Sequence, residues 1–236
     1  MTQMKKLLKI ATLALILPVA LALSACGGKG GAGLFEAPTL NTWGLKSTLG
    51  SLPITGANDT AGREALESYL MAQGFTDVET YSDLSGAPYG VILGLGGSNY
   101  DMSGEAKMPS VRNGIQMIVF SAEYRAQSYW DSMLLSTFGE IDAVAFENQK
   151  REELQDDNYY GYEILSVSVT GFIQEGRSVE YTTTAFVKLN GKTYTLIEAT
   201  ASFVVGQYLV MMTAETGNFH ELSNDYYASL YPDMVG

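Results

Sequence analysis

The sequence predicts an α+β fold in which an antiparallel sheet, closed by a C-terminal meander, packs against helices. Three observations carry this. Glu163–Ile173, Ser178–Leu189, Thr193–Val205 and Gln207–Glu215 are rich in β-branched and aromatic residues, the composition of half-buried strands. Asn190-Gly191 stands between the second and third of these runs, and both central residues of a type I′ turn need φ > 0, so the pair predicts a two-residue hairpin. Phe219, Leu222, Tyr226 and Leu230 then recur at spacings of three and four, which gives a last helix one apolar face to lay on the sheet.

The remaining elements follow in chain order. Residues 27–58 are rich in Gly, Pro, Ser, Thr and Asn and predict an irregular lead-in, on which Trp43 and Leu45 are the residues suited to docking. Leu66, Tyr69 and Leu70 share a helical face, with Asp59 or Thr60 as cap, Gly74 as stop and Phe75 as the hydrophobic contact behind it. Asp77–Tyr81 predicts a short strand, and Tyr89–Leu95 a second, with Gly94, Gly96 and Gly97 at its end. Residues 98–110 predict a loop and Gly114–Phe120 a strand. Ser121 is placed to cap a helix whose stripe is Ala126, Trp130, Met133 and Leu134. Glu147–Asp157 is charged and predicts a solvated helix or loop. Gly206 suits a tight turn, and Asn218 with Glu221 stands in capping-box register before the last helix.

Composition narrows the function. The chain carries 14 Lys and Arg against 26 Asp and Glu, a net charge of −12, so it lacks the clustered cations that nucleic-acid phosphates require. With 46% apolar and 17% charged residues it is globular in composition. Cys26 is its one cysteine, so core burial rather than an internal disulfide must hold the fold together.

That cysteine ends a patterned N-terminus. Lys5, Lys6 and Lys9 precede an apolar run from Ile10 to Leu23, and small residues follow, which are the parts of a secretory signal. The run is shorter than the roughly 20 residues a spanning helix needs and contains Pro18. Leu23-Ser24-Ala25-Cys26 resembles the lipobox of bacterial lipoproteins. The resemblance implies diacylglycerol on Cys26, cleavage before it and residence in the cell envelope, held to the membrane by lipid. It divides the chain into a signal at 1–25, a lipidated cysteine with flexible tether and lead-in at 26–58, and one α+β domain at 59–236, with 59–110 marked as an alternative subdomain. The glycine-rich flank Gly27-Gly28-Lys29-Gly30-Gly31 suits a tether.

From about Arg112 onward the order is strand, helix, charged insert, meander and terminal helix. This order, with the runs Gly191-Lys192-Thr193-Tyr194 and Tyr208-Leu209-Val210-Met211, resembles the PsbP-like α/β/α sandwich. The resemblance implies a mostly non-catalytic class of fold.

No motif for catalysis emerges, and no catalytic residue or cofactor is assigned. His220 is the only histidine, so a multi-histidine metal site within one chain is excluded, and a helix-packing role suits it better than a triad. Gly96-Gly97-Ser98-Asn99-Tyr100 begins like a nucleophile elbow but lacks the final glycine. Gly90–Gly97 fits neither phosphate-binding fingerprint. Glu152, Glu153, Asp156 and Asp157 fail as a calcium loop, since Val167 falls where a bidentate Glu is required, and a solvated acidic face suits them better. No metal site is assigned. Tyr159, Tyr160 and Tyr162 form an aromatic cluster suited to a sugar or peptide, or to the core. The expectation is a membrane-anchored, non-catalytic lipoprotein that binds a small ligand or an envelope protein through one face of its sheet. The alternatives are a structural or assembly accessory and an Asp/Glu-dependent envelope hydrolase.

Overall fold

Tight turns organise half of the sheet. Asn190 and Gly191 have φ of 51° and 83°, the left-handed pair expected between the two strands they join. A Cβ on Gly191 would meet nothing within 4 Å, so the constraint there is purely of the backbone. Gly191→Val is therefore expected to lower stability by about 1–2 kcal/mol, the cost of a left-handed L-residue. An unchanged thermal midpoint would count against the tight hairpin.

The structure is a computed structural model that describes residues 35, 37–56, 58–75, 77–81, 90–98, 112–134, 143–156 and 162–230. Its strands are β1 (Asp77–Tyr81), β2 (Val91–Ser98), β3 (Arg112–Phe120), β4 (Glu163–Glu175), β5 (Ser178–Leu189), β6 (Lys192–Val205) and β7 (Tyr208–Gly217). Its helices are α1 (Thr42–Leu49), α2 (Thr60–Ala72), α3 (Glu123–Tyr129, continued by a π turn over Trp130–Leu134), α4 (Ala143–Asp156) and α5 (Phe219–Leu230). One sheet of order β1-β2-β3-β7-β6-β5-β4 holds all seven strands, and every pair is antiparallel. Strands β1 and β2 thus share the sheet with the C-terminal meander.

Side chains alternate across a strand, so the register defines two faces. On the first, Leu93, Leu95, Ile115, Met117, Phe203, Val210 and Met212 pack against Leu45 and Leu49 of α1 and Leu66 and Leu70 of α2. On the second, Val179, Tyr181 and Leu209 pack against Ala126, Trp130 and Phe146 of α3, its π turn and α4. Further along that face, Ala185, Val187, Tyr194 and Leu196 meet Phe219 and Leu222 of α5. Helices thus cover parts of both faces, an α+β architecture.

Helix α2 is bounded as the sequence predicts. Asp59 Oδ1 accepts the Gly62 N–H at 2.9 Å, and its Oδ2 accepts the Thr55 N–H at 2.8 Å. At the other end the Phe75 N–H reaches Leu70 O at 3.2 Å and the Gly74 N–H reaches Met71 O at 3.0 Å, the paired bonds of a Schellman stop.

Elsewhere tertiary packing overrides the local reading. The lead-in is not wholly irregular: Thr42–Leu49 is helical, capped by Asn41, and Leu45, Leu49 and Ile54 are core residues. β2 does not end at Leu95 but runs on through Gly96 and Gly97 to Ser98. A Cβ on Gly97 would stand 3.2 Å from Ile115 Cγ2 and 3.3 Å from Phe75 Cβ, so glycine there permits close packing. Ala122, not Ser121, is the N-cap of α3 and makes no side-chain cap bond. Asn218 Oδ1 accepts no hydrogen bond, so the side-chain half of the expected capping box is not made; the Asn218 N–H instead bonds Thr195 O at 3.2 Å. Leu230, expected on the apolar stripe of α5, is 48% exposed.

Candidate functional site

Among the described residues polar side chains gather at several places, and two of these bear on function. The first lies under α4. The only fully buried apolar anchor described on this helix is Phe146, whose ring sits 5.1 Å from Phe172 and 4.7 Å from Tyr181. One turn on, Lys150 donates to Glu153 Oε2 at 2.7 Å, and its ammonium lies 5.5 Å from the Phe146 ring and 5.6 Å from the Tyr181 ring. Beneath it, Thr200 donates to Glu198 Oε1 at 2.9 Å, while Glu198 Oε2 is buried without a hydrogen bond. Backbone register sets Thr183, Glu198 and Glu215 side by side on β5, β6 and β7, with Arg112 opposite Glu215 on β3.

Electrostatics ties this set together. Burial pushes the Glu198 carboxyl above its ordinary range, and the Lys150 charge only partly offsets that. Burial likewise raises the Tyr181 phenol, again against Lys150. Burial alone would lower Lys150, but Tyr181, Glu153 and Glu198 outweigh it, so the amine is held more firmly protonated. A lysine kept charged is a poor base or nucleophile. The arrangement can fix α4 to the sheet through a counter-charge, and it lacks an amine poised to deprotonate at neutral pH.

The second place is the first face of β4 and β5. No residue of either strand belongs to the apolar cluster beneath α1 and α2. Ser166, Ser168 and Thr170 pair with Phe186, Thr184 and Thr182, which makes an uncharged, hydroxyl-rich strip. Phe186 is 37% exposed and Ile173, at the far end, 54%. Ion pairs frame it: Lys188 with Glu163 at 3.4 Å, and Lys46 of α1 with Glu180 at 3.2 Å. Lys46 also donates to Ser178 Oγ at 3.0 Å and lies 4.7 Å over the Phe203 ring, which ties α1 to the sheet.

The residues singled out by sequence fall differently. Cys26, Tyr159, Tyr160 and Asp157 lie outside the described residues, as do Asn99 and Tyr100. His220 is in the first turn of α5, and its side chain, like those of Trp43, Met133, Leu134 and Asp156, is not among those described. Tyr162 is buried against the α5 cluster, as a core residue. The stretch expected to be solvated is the docked helix α4, and Glu153 serves Lys150 and Gln149 rather than open solvent. Among the described residues no group of three or more His, Cys, Asp and Glu is placed to hold a metal ion, and no helix is long and apolar enough to cross a membrane.

Sequence reasoning missed Lys150 and Glu198. Their signal was present but weak: a lone Glu within the apolar run of β6, and a Lys one turn after a Phe in a polar helix. No protein-family model matches the chain, and no curated protein matches it.

Proposed function

We propose that this protein is a cell-envelope lipoprotein, anchored through diacylglycerol on Cys26, that binds a partner or ligand without chemistry of its own. The observation that carries the reading is the basic, apolar, small-residue segment ending at Leu23-Ser24-Ala25-Cys26 and followed by glycines. Two acyl chains, each gaining about 0.8 kcal/mol per buried CH₂, hold a chain of net charge −12 to a membrane that its acidic surface would not seek. The open β4–β5 face supports binding through the sheet, with Phe186 as its aromatic contact. The helices on both faces and the meander running into α5 support a PsbP-like sandwich as the finer description of the fold.

A fatty-acid probe tests the anchor. The parent chain is expected to label and to pellet with membranes, and Cys26→Ser to lose both properties. Equal labelling of the two would overturn the lipoprotein reading. A photo-crosslinking residue at Phe186 tests the binding face. Adducts are expected there and not at Tyr124, which is 62% exposed on α3. Equal adducts at both positions, or none at Phe186, would remove this face from the proposal.

A further inference from the structure

β4 is the outermost strand of the sheet, and α4 runs beside its free edge. Glu147 Oε2 accepts the Val169 N–H at 3.1 Å, and Arg151 Nη2 donates to Val167 O at 3.3 Å. The two side chains lie one helical turn apart and pair with each other at 3.8 Å. A helix thus supplies two hydrogen bonds that an added strand would otherwise make. Covering an edge is one way in which proteins keep it from pairing with another chain.

The geometry also specifies what such a strand would be. In an antiparallel pair, a non-hydrogen-bonded couple of residues is flanked by two bonds, each running from the N–H after one residue to the C=O before the other. With Ser168 at a two-fold axis, the Val169 N–H of one copy meets the Val167 C=O of the other, and the reverse. These are the two groups that Glu147 and Arg151 occupy, the carboxylate in place of a carbonyl and the guanidinium in place of an amide. We propose that α4 closes β4 against a second copy of this chain, and that release of α4 opens a two-fold, β4-to-β4 dimer interface.

Charge and shape favour a second copy. The pairing segment Ser166–Thr170 carries no charged side chain, although the chain as a whole carries −12. Two such segments meet without the repulsion that opposed like charges bring. A two-fold pairing of one strand with itself is self-complementary, as an isologous interface requires. Register shifts between Ile164 and Ser166 and between Thr170 and Ile173 confine regular pairing to this short stretch, so the contact is limited and reversible. Release is within reach because, among the described side chains of α4, Phe146 is the one fully buried aromatic anchor, and Glu147, Lys150 and Arg151 make polar contacts.

Disulfide trapping tests this. The full chain carrying Cys26→Ser and Ser168→Cys has one thiol, on the two-fold axis. Facing Cα atoms of a non-hydrogen-bonded pair stand about 4.5 Å apart, within disulfide range. With α4 intact, mild oxidation is expected to leave monomer. Adding Glu147→Ala with Arg151→Ala, or Phe146→Ala alone, is expected to raise the covalent dimer at least five-fold on a non-reducing gel. If the double variant does not fold, Arg151→Gln is read in the same way. Thr170→Cys in place of Ser168→Cys is the off-axis control and is expected to trap little. The proposal is overturned if folded release variants trap no more dimer than the parent, if the parent already dimerises fully, or if both thiol positions trap equally.

Discussion

Trp130→Ala is expected to cost about 3–5 kcal/mol, the range for emptying a large aromatic from a core. Trp130 is 1% exposed and, among the described residues, the largest of the fully buried side chains. It stands where α3 passes into its π turn and joins Phe120, Ala126, Phe146, Val179, Tyr181 and Leu209 in one cluster. Its removal therefore loosens α3, α4 and the sheet together. Against a total stability of roughly 5–15 kcal/mol, such a loss brings a domain close to unfolding. Urea melts should show a lower midpoint with an unchanged slope. Tyr124→Ala, on the exposed side of α3, is expected to stay within about 0.5 kcal/mol. A loss below ~1 kcal/mol for Trp130→Ala would mean that α3 is not seated as described.

Lys150→Met is expected to cost about 2–3 kcal/mol and to change how stability depends on pH. Breaking a fully buried ion pair costs ~3–5 kcal/mol, and the Lys150 side chain keeps 22% exposure, which reduces the figure. The signs are opposite for the two partners. Lys150 is raised, so its contribution is complete below its ordinary value of 10.5 and is lost only as pH climbs through the folded value. Glu198 is also raised, but it is an acid. The folded state therefore holds its proton more tightly than the unfolded chain, and stability falls as pH rises from the ordinary value of 4.5. Lys150 offsets part of that fall. In Lys150→Met the offset is gone and Glu198 moves further up, so the loss as pH rises above 4.5 should be larger than in the parent. Adding Glu198→Gln should flatten the profile. Parallel pH profiles for the parent and Lys150→Met would show that the two groups do not communicate.

Much of the domain was legible because its signals are local. Asp59 caps α2 through a residue three positions on, and Gly74 with Phe75 stops it within one turn. Asn190-Gly191 joins its strands through its own dihedral preference. Ser178–Leu189 and Asp77–Tyr81 are strands over the spans expected for them. The stretch on which the proposed membrane anchor rests, Cys26 and its flanks, is likewise a linear pattern.

What was not legible depends on partners far along the chain. TWGLKSTL is weakly amphipathic and contains Gly, Ser and Thr, so its helix is favoured by the burial of Leu45 and Leu49 rather than by propensity. Glu147–Asp157 looks solvated in sequence because the groups that Glu147 and Arg151 answer to, Val169 N–H and Val167 C=O, belong to a backbone edge that exists only once the sheet has formed. Glu198 reads as an interruption of an apolar strand until pairing sets it beside Thr183 and Glu215 and packing brings Lys150 above it. Local signals sufficed for the strands, for α2, α3 and α5, for the turns at Asn190-Gly191 and Gly206, and for the pattern on which the membrane reading rests, since each is written within a few residues. Tertiary structure alone decided the strand order, the polar row under α4 and the closed edge of β4, because each requires contacts between segments that meet only when long loops close.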